Sequence, residues 1–130
     1  MQQSQLHQIA NANNMVDKVT LIESYVGDQS GGDYITLDSL ALEADFQGVD
    51  FIKIDVEGQE MMVLRGAQAL LRRFKPKLMV EVHEEVVAGV QVTPAEVESL
   101  LTDLDVGYKF TRRKLYYQGK VYWHLYAEAA

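Results

Sequence analysis

The run Val49-Asp50-Phe51-Ile52-Lys53-Ile54-Asp55, continued by Val56-Glu57-Gly58-Gln59-Glu60, decides the reading of the fold. It is mostly apolar and carries β-branched and aromatic residues, as expected of a strand covered on both faces in a parallel sheet. Asp55 and Glu57 close the run with acidic groups. Gly58 then opens a helix predicted to reach Phe74, with Val63, Ala67, Leu70, Leu71 and Phe74 on one apolar stripe. Arg72, Arg73 and Lys75 suit the negative end of that helix, and Pro76 ends it. Gly66 stands out, because glycine inside a helix costs about 1 kcal/mol relative to alanine. A close backbone approach would account for it.

Downstream, Leu78 to His83 reads as a second buried strand. Thr93-Pro94-Ala95-Glu96 is a helix start: Thr93 caps, Pro94 fits the first helical position and Glu96 can close a capping box. Val97, Leu100, Leu101 and Leu104 point that helix at the core, and Gly107 follows its end. The tail, Tyr108 to Tyr126, is rich in Tyr and Val, with Gln118-Gly119 as the turn of an antiparallel pair. Upstream, Leu6, Ile9 and Ala10 have helical spacing, and Asn11, Asn13 and Asn14 mark where that helix ends. Lys18 to Val26 reads as a strand, Tyr34 to Leu37 as a short extended piece, and Asp38 as the cap of a short helix through Ala44. Strands alternating with helices imply right-handed crossovers, hence an α/β fold with a mostly parallel sheet and a C-terminal antiparallel hairpin.

The 130 residues suffice for one domain, and 48% hydrophobic with 24% charged residues is ordinary for a globular chain. There is no cysteine, which excludes disulfides and thiolate zinc sites. Neither a secretory leader nor a membrane-length apolar run is visible, so the expectation is cytoplasmic, with no membrane partner. A net charge of -7 argues against holding nucleic acid by bulk electrostatics. The short basic cluster Arg112-Arg113-Lys114 reads as a solvated hairpin edge.

Ligands of open α/β sheets bind beyond the carboxyl ends of the strands. Three such ends carry polar residues here: Gly27-Asp28, Asp55-Val56-Glu57-Gly58 and Glu81-Val82-His83-Glu84. Asp28 reads equally as a turn residue, and Glu57 as a favourable charge near a helix N-terminus. Lys53, two residues before Asp55 on the same face of a buried strand, is expected to form a structural ion pair. His83 gains interest from Glu81 and Glu84 beside it. Asp55, Glu57, Glu81 and His83 match metal ligands in type, but no fixed spacing supports a site, so no metal is assigned. His124 has no evident partner and reads as a sheet-face residue.

The segments Phe51 to Glu60, Val63-Leu64-Arg65-Gly66-Ala67, Lys75-Pro76-Lys77 and Glu81-Val82-His83 together resemble the FkbM-type methyltransferase family. Thr36-Leu37-Asp38-Ser39-Leu40 and the Val19 to Asp28 stretch resemble it too, in the family's order. The resemblance implies a three-layer, Rossmann-like class I methyltransferase fold that uses S-adenosylmethionine. It implies O-methylation of a small-molecule or sugar hydroxyl. By position, Gly27 and Asp28 would contact the donor's adenine, Asp55 and His83 would be catalytic, and Glu57 and Glu81 would border the acceptor pocket.

The chain departs from the family pattern at the donor site. The family's glycine-rich turn and the acidic residue for the ribose belong to its first two strands, and neither feature occurs here. Residues 1–130 therefore read as a partial domain lacking those strands. Either donor binding needs a missing half, or the chain is a non-catalytic remnant acting as an interaction module. The run Val49–Asp55 would then expose an edge, to be covered by Lys18–Val26 or by a second copy in a homodimer.

Overall fold

The computed structural model describes residues 3–86 and 89–130. Met1 and Gln2, part of the polar start, lie outside the described residues. Helix α1 (Gln3–Ala12) is followed by a 3-10 turn at Val16–Lys18. Then come β1 (Tyr25–Val26), β2 (Tyr34–Ile35), α2 (Leu37–Glu43), β3 (Phe51–Ile54), α3 (Glu60–Arg65), α4 (Gln68–Phe74), β4 (Lys77–His83), α5 (Pro94–Asp103), β5 (Tyr108–Tyr117) and β6 (Lys120–Ala129).

The main sheet has four strands in the order β3-β4-β6-β5. Only β3 and β4 run parallel; β6 pairs antiparallel with both β4 and β5. The expected mostly parallel sheet is thus corrected to a mixed one. The C-terminal hairpin is no appendage, since β6 docks directly against β4 and so becomes a central strand. Gln118 and Gly119 turn the hairpin with φ of 49° and 75°, the positive pair that a two-residue turn matching strand twist requires. Leu125 on β6 and Val80 and Val82 on β4 are fully buried.

The predicted strand Lys18–Val26 shrinks to two residues. Tyr25 and Val26 pair in parallel with Tyr34 and Ile35, not with β3. Residues 19–24 form neither helix nor strand, and Val19, Leu21 and Ile22 stay 38–46% exposed. Strand propensity is realised only where a neighbouring ladder exists, and no described residues offer one here. The free edge of β3 is likewise unpaired among the described residues. The expected burial of β3 on both faces fails with it: Phe51 is 55% exposed, and Lys53 is exposed rather than paired in the core. Ile52 and Ile54, on the other face, pack into the core.

Gly58 to Phe74 is two helices rather than one, broken at Gly66-Ala67. The break has a steric cause. A Cβ on Gly66 would lie 2.1 Å from the Gly27 carbonyl oxygen, so only glycine lets the loop after β1 seat there. Asp38 does not cap its own helix. Thr36 does, its hydroxyl accepting from the Ser39 amide at 3.0 Å. The Asp38 carboxylate instead accepts from the Ala69 and Leu70 amides at 3.2 and 2.8 Å, capping α4 across the fold. Lys75, at φ 47°, and Pro76 stop α4. Thr93 caps α5 by accepting from the Glu96 amide, and Val97, Leu101 and Leu104 are buried as expected. Helix α2 packs on α4, and α5 packs on α3 and β5. No helix among the described residues is long and apolar enough to cross a membrane.

Candidate active site

Asp55 directly follows β3, while Glu81 and His83 share one face near the end of the adjacent β4. One donor atom from each of the three lies within 4.8 Å of the others. His83 Nε2 stands 3.8 Å from Asp55 Oδ1 and 3.6 Å from Glu81 Oε2. It is shielded from solvent and has no hydrogen-bond partner among the described residues. The edge of His83 meets the Tyr122 ring with centroids 4.8 Å apart.

Strand β6 completes the group. Its register sets His124 opposite Glu81 and Tyr122 opposite His83. His124 Nε2 donates to Glu81 Oε1 at 2.9 Å, which fixes the carboxylate and leaves Oε2 turned toward His83. His124 is therefore a site residue that the sequence reading missed, because its partner follows from the β4–β6 register alone.

The electrostatics separate the two carboxyl groups. Burial, with the hydrogen bond and negative charge of Glu81, raises Asp55 above the ordinary carboxylate range, against the pull of His83 and of Lys53. Burial pushes Glu81 upward too, but hydrogen bonds from His124 and Asp55 and the charge of both histidines outweigh it, so Glu81 lies below its ordinary range. A proton held between the two therefore rests on Asp55.

Glu57 is not brought into this cluster. It is exposed, at φ 47°, in the turn that leads to α3. The neighbouring Glu60 is the residue drawn inside: it is 1% exposed, and its Oε1 accepts from the Gly58 amide at 3.2 Å. Glu60 thus braces the turn following Asp55. Nothing in the sequence pattern distinguished it from a solvated first-turn glutamate.

Gly27 and Asp28 lie elsewhere, in a cleft of about 800 Å³ whose walls include Tyr25, Tyr34, Val56, Gln59 and Met62. The cleft joins the loop after β1 to the turn after β3. The Tyr25 and Tyr34 rings stand 5.3 Å apart on its flank. Two devices hold the loop. Gly66 admits the Gly27 carbonyl, and the Ser30 hydroxyl accepts from the Thr36 amide and donates to the Ser39 hydroxyl. Ser24, Asp28, Gln29, Ser30 and Gln59 add polar groups to its apolar and aromatic walls.

Residues 7–110 match the model of the methyltransferase FkbM domain. No curated protein shows significant similarity to the chain. Among solved structures, the fold is similar to the crystal structure of methyltransferase FkbM from Methylobacillus flagellatus KT. The TM-score is 0.72 at 16% sequence identity, over 93% of this chain and 32% of that one. The chain thus spans about a third of that protein's length.

Proposed function

The chain belongs to the FkbM methyltransferase family, and on that premise we propose that it takes part in methyl transfer from S-adenosylmethionine to a hydroxyl of a small molecule or sugar. The observation that carries this reading is the cleft between the Gly27-Asp28 loop and the turn after Asp55. Its residues fit the adenosine end of the donor. Val26, Val56 and Met62 offer apolar contact, and the Asp28 carboxylate can accept from an exocyclic amino group. The donor, when bound, supplies an electrophilic methyl group. The arrangement is read as the corresponding part of a three-layer class I methyltransferase sheet.

The remaining work falls to residues at the ends of β3 and β4. Methyl transfer depends chiefly on holding nucleophile and methyl group in line. Asp55, 40% exposed at its side chain, and His83, 12% exposed, form the wall against which an acceptor hydroxyl would lie. They take up its proton, with Glu81 held in place by His124. Glu57, exposed in the turn after Asp55, is free of the cluster and available to a polar acceptor.

An NMR titration of the labelled chain with S-adenosylmethionine tests the reading. Chemical-shift changes should centre on Gly27, Asp28, Val56 and Gln59 and weaken in Asp28→Ala. Changes confined to other surfaces, or none at millimolar donor, would count against it. We further propose that the free edge of β3, with Phe51 exposed beside it, pairs with a second copy of the chain. Light scattering should then report a dimer that a proline at Lys53 abolishes; a monomer at every concentration contradicts it.

A further inference from the structure

We propose that Asp55, Glu81 and His83 form a binding site for a divalent first-row transition ion such as Mn²⁺ or Zn²⁺.

The ligand atoms come from adjacent strands and converge on one gap. Two donors each about 2.1 Å from a common ion, at a tetrahedral angle, lie about 3.4 Å apart. His83 Nε2 stands 3.6 Å from Glu81 Oε2 and 3.8 Å from Asp55 Oδ1. Both gaps exceed that value by only a few tenths of an ångström, and the three ligand atoms lie within 4.8 Å of one another, close enough to converge on one ion.

A second observation points into the same gap. His83 Nε2 is buried without a hydrogen-bond partner among the described residues, although two carboxylates flank it. A buried polar atom left unpaired is costly. An ion between the three groups satisfies the nitrogen and both carboxylates together.

The surroundings have the form of a metal site. His124 donates to the far oxygen of Glu81 and orients the near one, the outer contact that ligating carboxylates commonly have. One imidazole with two carboxylates suits Mn²⁺, Fe²⁺, Co²⁺ or Zn²⁺ better than Ca²⁺, which prefers a larger shell of oxygens. Three protein ligands leave coordination positions open, and the Asp55 side chain is 40% exposed, so solvent reaches the group. If the acceptor hydroxyl fills an open position, the ion would favour its ionised form, a role that replaces direct proton uptake by the metal-bound Asp55 and His83. That use rests on the function proposed above, whereas occupancy of the site does not.

Manganese titrations of the intact chain, followed by paramagnetic broadening of amide signals and by calorimetry without methyl donor, separate the two questions. The expected result is one ion per chain, with broadening centred on residues 55, 81 and 83. Affinity should fall at least tenfold in His83→Ala and in Asp55→Asn, the latter at an exposed strand end where folding is least at risk. His124→Phe should weaken binding by about tenfold through Glu81. Weak broadening spread over the acidic surface and unchanged in Asp55→Asn would overturn the proposal. So would an absence of heat and broadening in a chain shown folded by circular dichroism. Metal binding without donor binding would leave this site standing and count against the donor cleft alone.

Discussion

Residues 19–26 and residues 78–83 have similar strand-forming composition and opposite fates. In β4, Leu78, Val80 and Val82 are at most 1% exposed, and the strand is paired on both sides. Val19, Leu21 and Ile22 are each more than a third exposed, and only Tyr25 and Val26 enter a ladder. Intrinsic preference is the same kind of input in both; the neighbours differ. The two groups of candidate residues fall on either side of this contrast. The acidic cluster stands on the paired sheet, and the separate cleft is partly built from β1 and the loop after it.

The largest effect should come from truncating the central strand. Leu125→Ala removes a fully buried side chain of β6 and should cost about 3–4 kcal/mol in urea unfolding. Leu21→Ala, at a site 38% exposed, should cost less than about 1 kcal/mol. Equal costs would show that residues 19–24 are packed as tightly as the sheet.

Next comes the joint between the two regions. Gly66→Ala forces its Cβ against the Gly27 carbonyl and should cost about 2–3 kcal/mol. Its amide shifts should concentrate at Gly27 and Asp28 rather than at Glu81 and His83. Uniform changes across both groups would mean that loop and sheet move as one body.

A smaller effect lies at the base of the sheet. The Tyr108 hydroxyl donates to the Pro76 carbonyl at 2.7 Å, and burial pushes its pKa up to about 12 from 10.0. The folded state prefers the neutral phenol. That contribution is complete below pH 10 and is lost as pH rises through about 12. Tyr108→Phe should cost about 1 kcal/mol near neutrality and flatten the alkaline decline of stability. An unchanged alkaline slope would place the decline in other groups. Of similar size, Asp38→Ala removes the remote cap of α4 and should cost about 1 kcal/mol, read as a lowered melting temperature.

What was legible in the sequence was local. Thr93-Pro94 and its helix, the stop at Pro76 and the Gln118-Gly119 turn each follow from backbone chemistry within a few residues, and each is where it was expected. The placement of Asp55, Glu81 and His83 near adjacent strand ends was also legible, since two apolar runs with strand composition end on them. What failed depended on partners distant in the chain. The strand at 18–26 lacked a neighbour, Asp38 capped a helix 31 residues away, and His124 met Glu81 only through a register set by hairpin docking. Gly66 lies between these cases: its oddity as a helix glycine was visible, while the Gly27 carbonyl it accommodates was not.

Backbone amide hydrogen exchange across the chain tests the contrast between sheet and loop most directly. Amides of residues 79–82 and 122–126 should exchange only through global unfolding, while those of residues 19–23 exchange through local opening, faster by several orders of magnitude. Comparable protection of the two segments would contradict the contrast between a fully paired sheet and an unpaired stretch of similar composition.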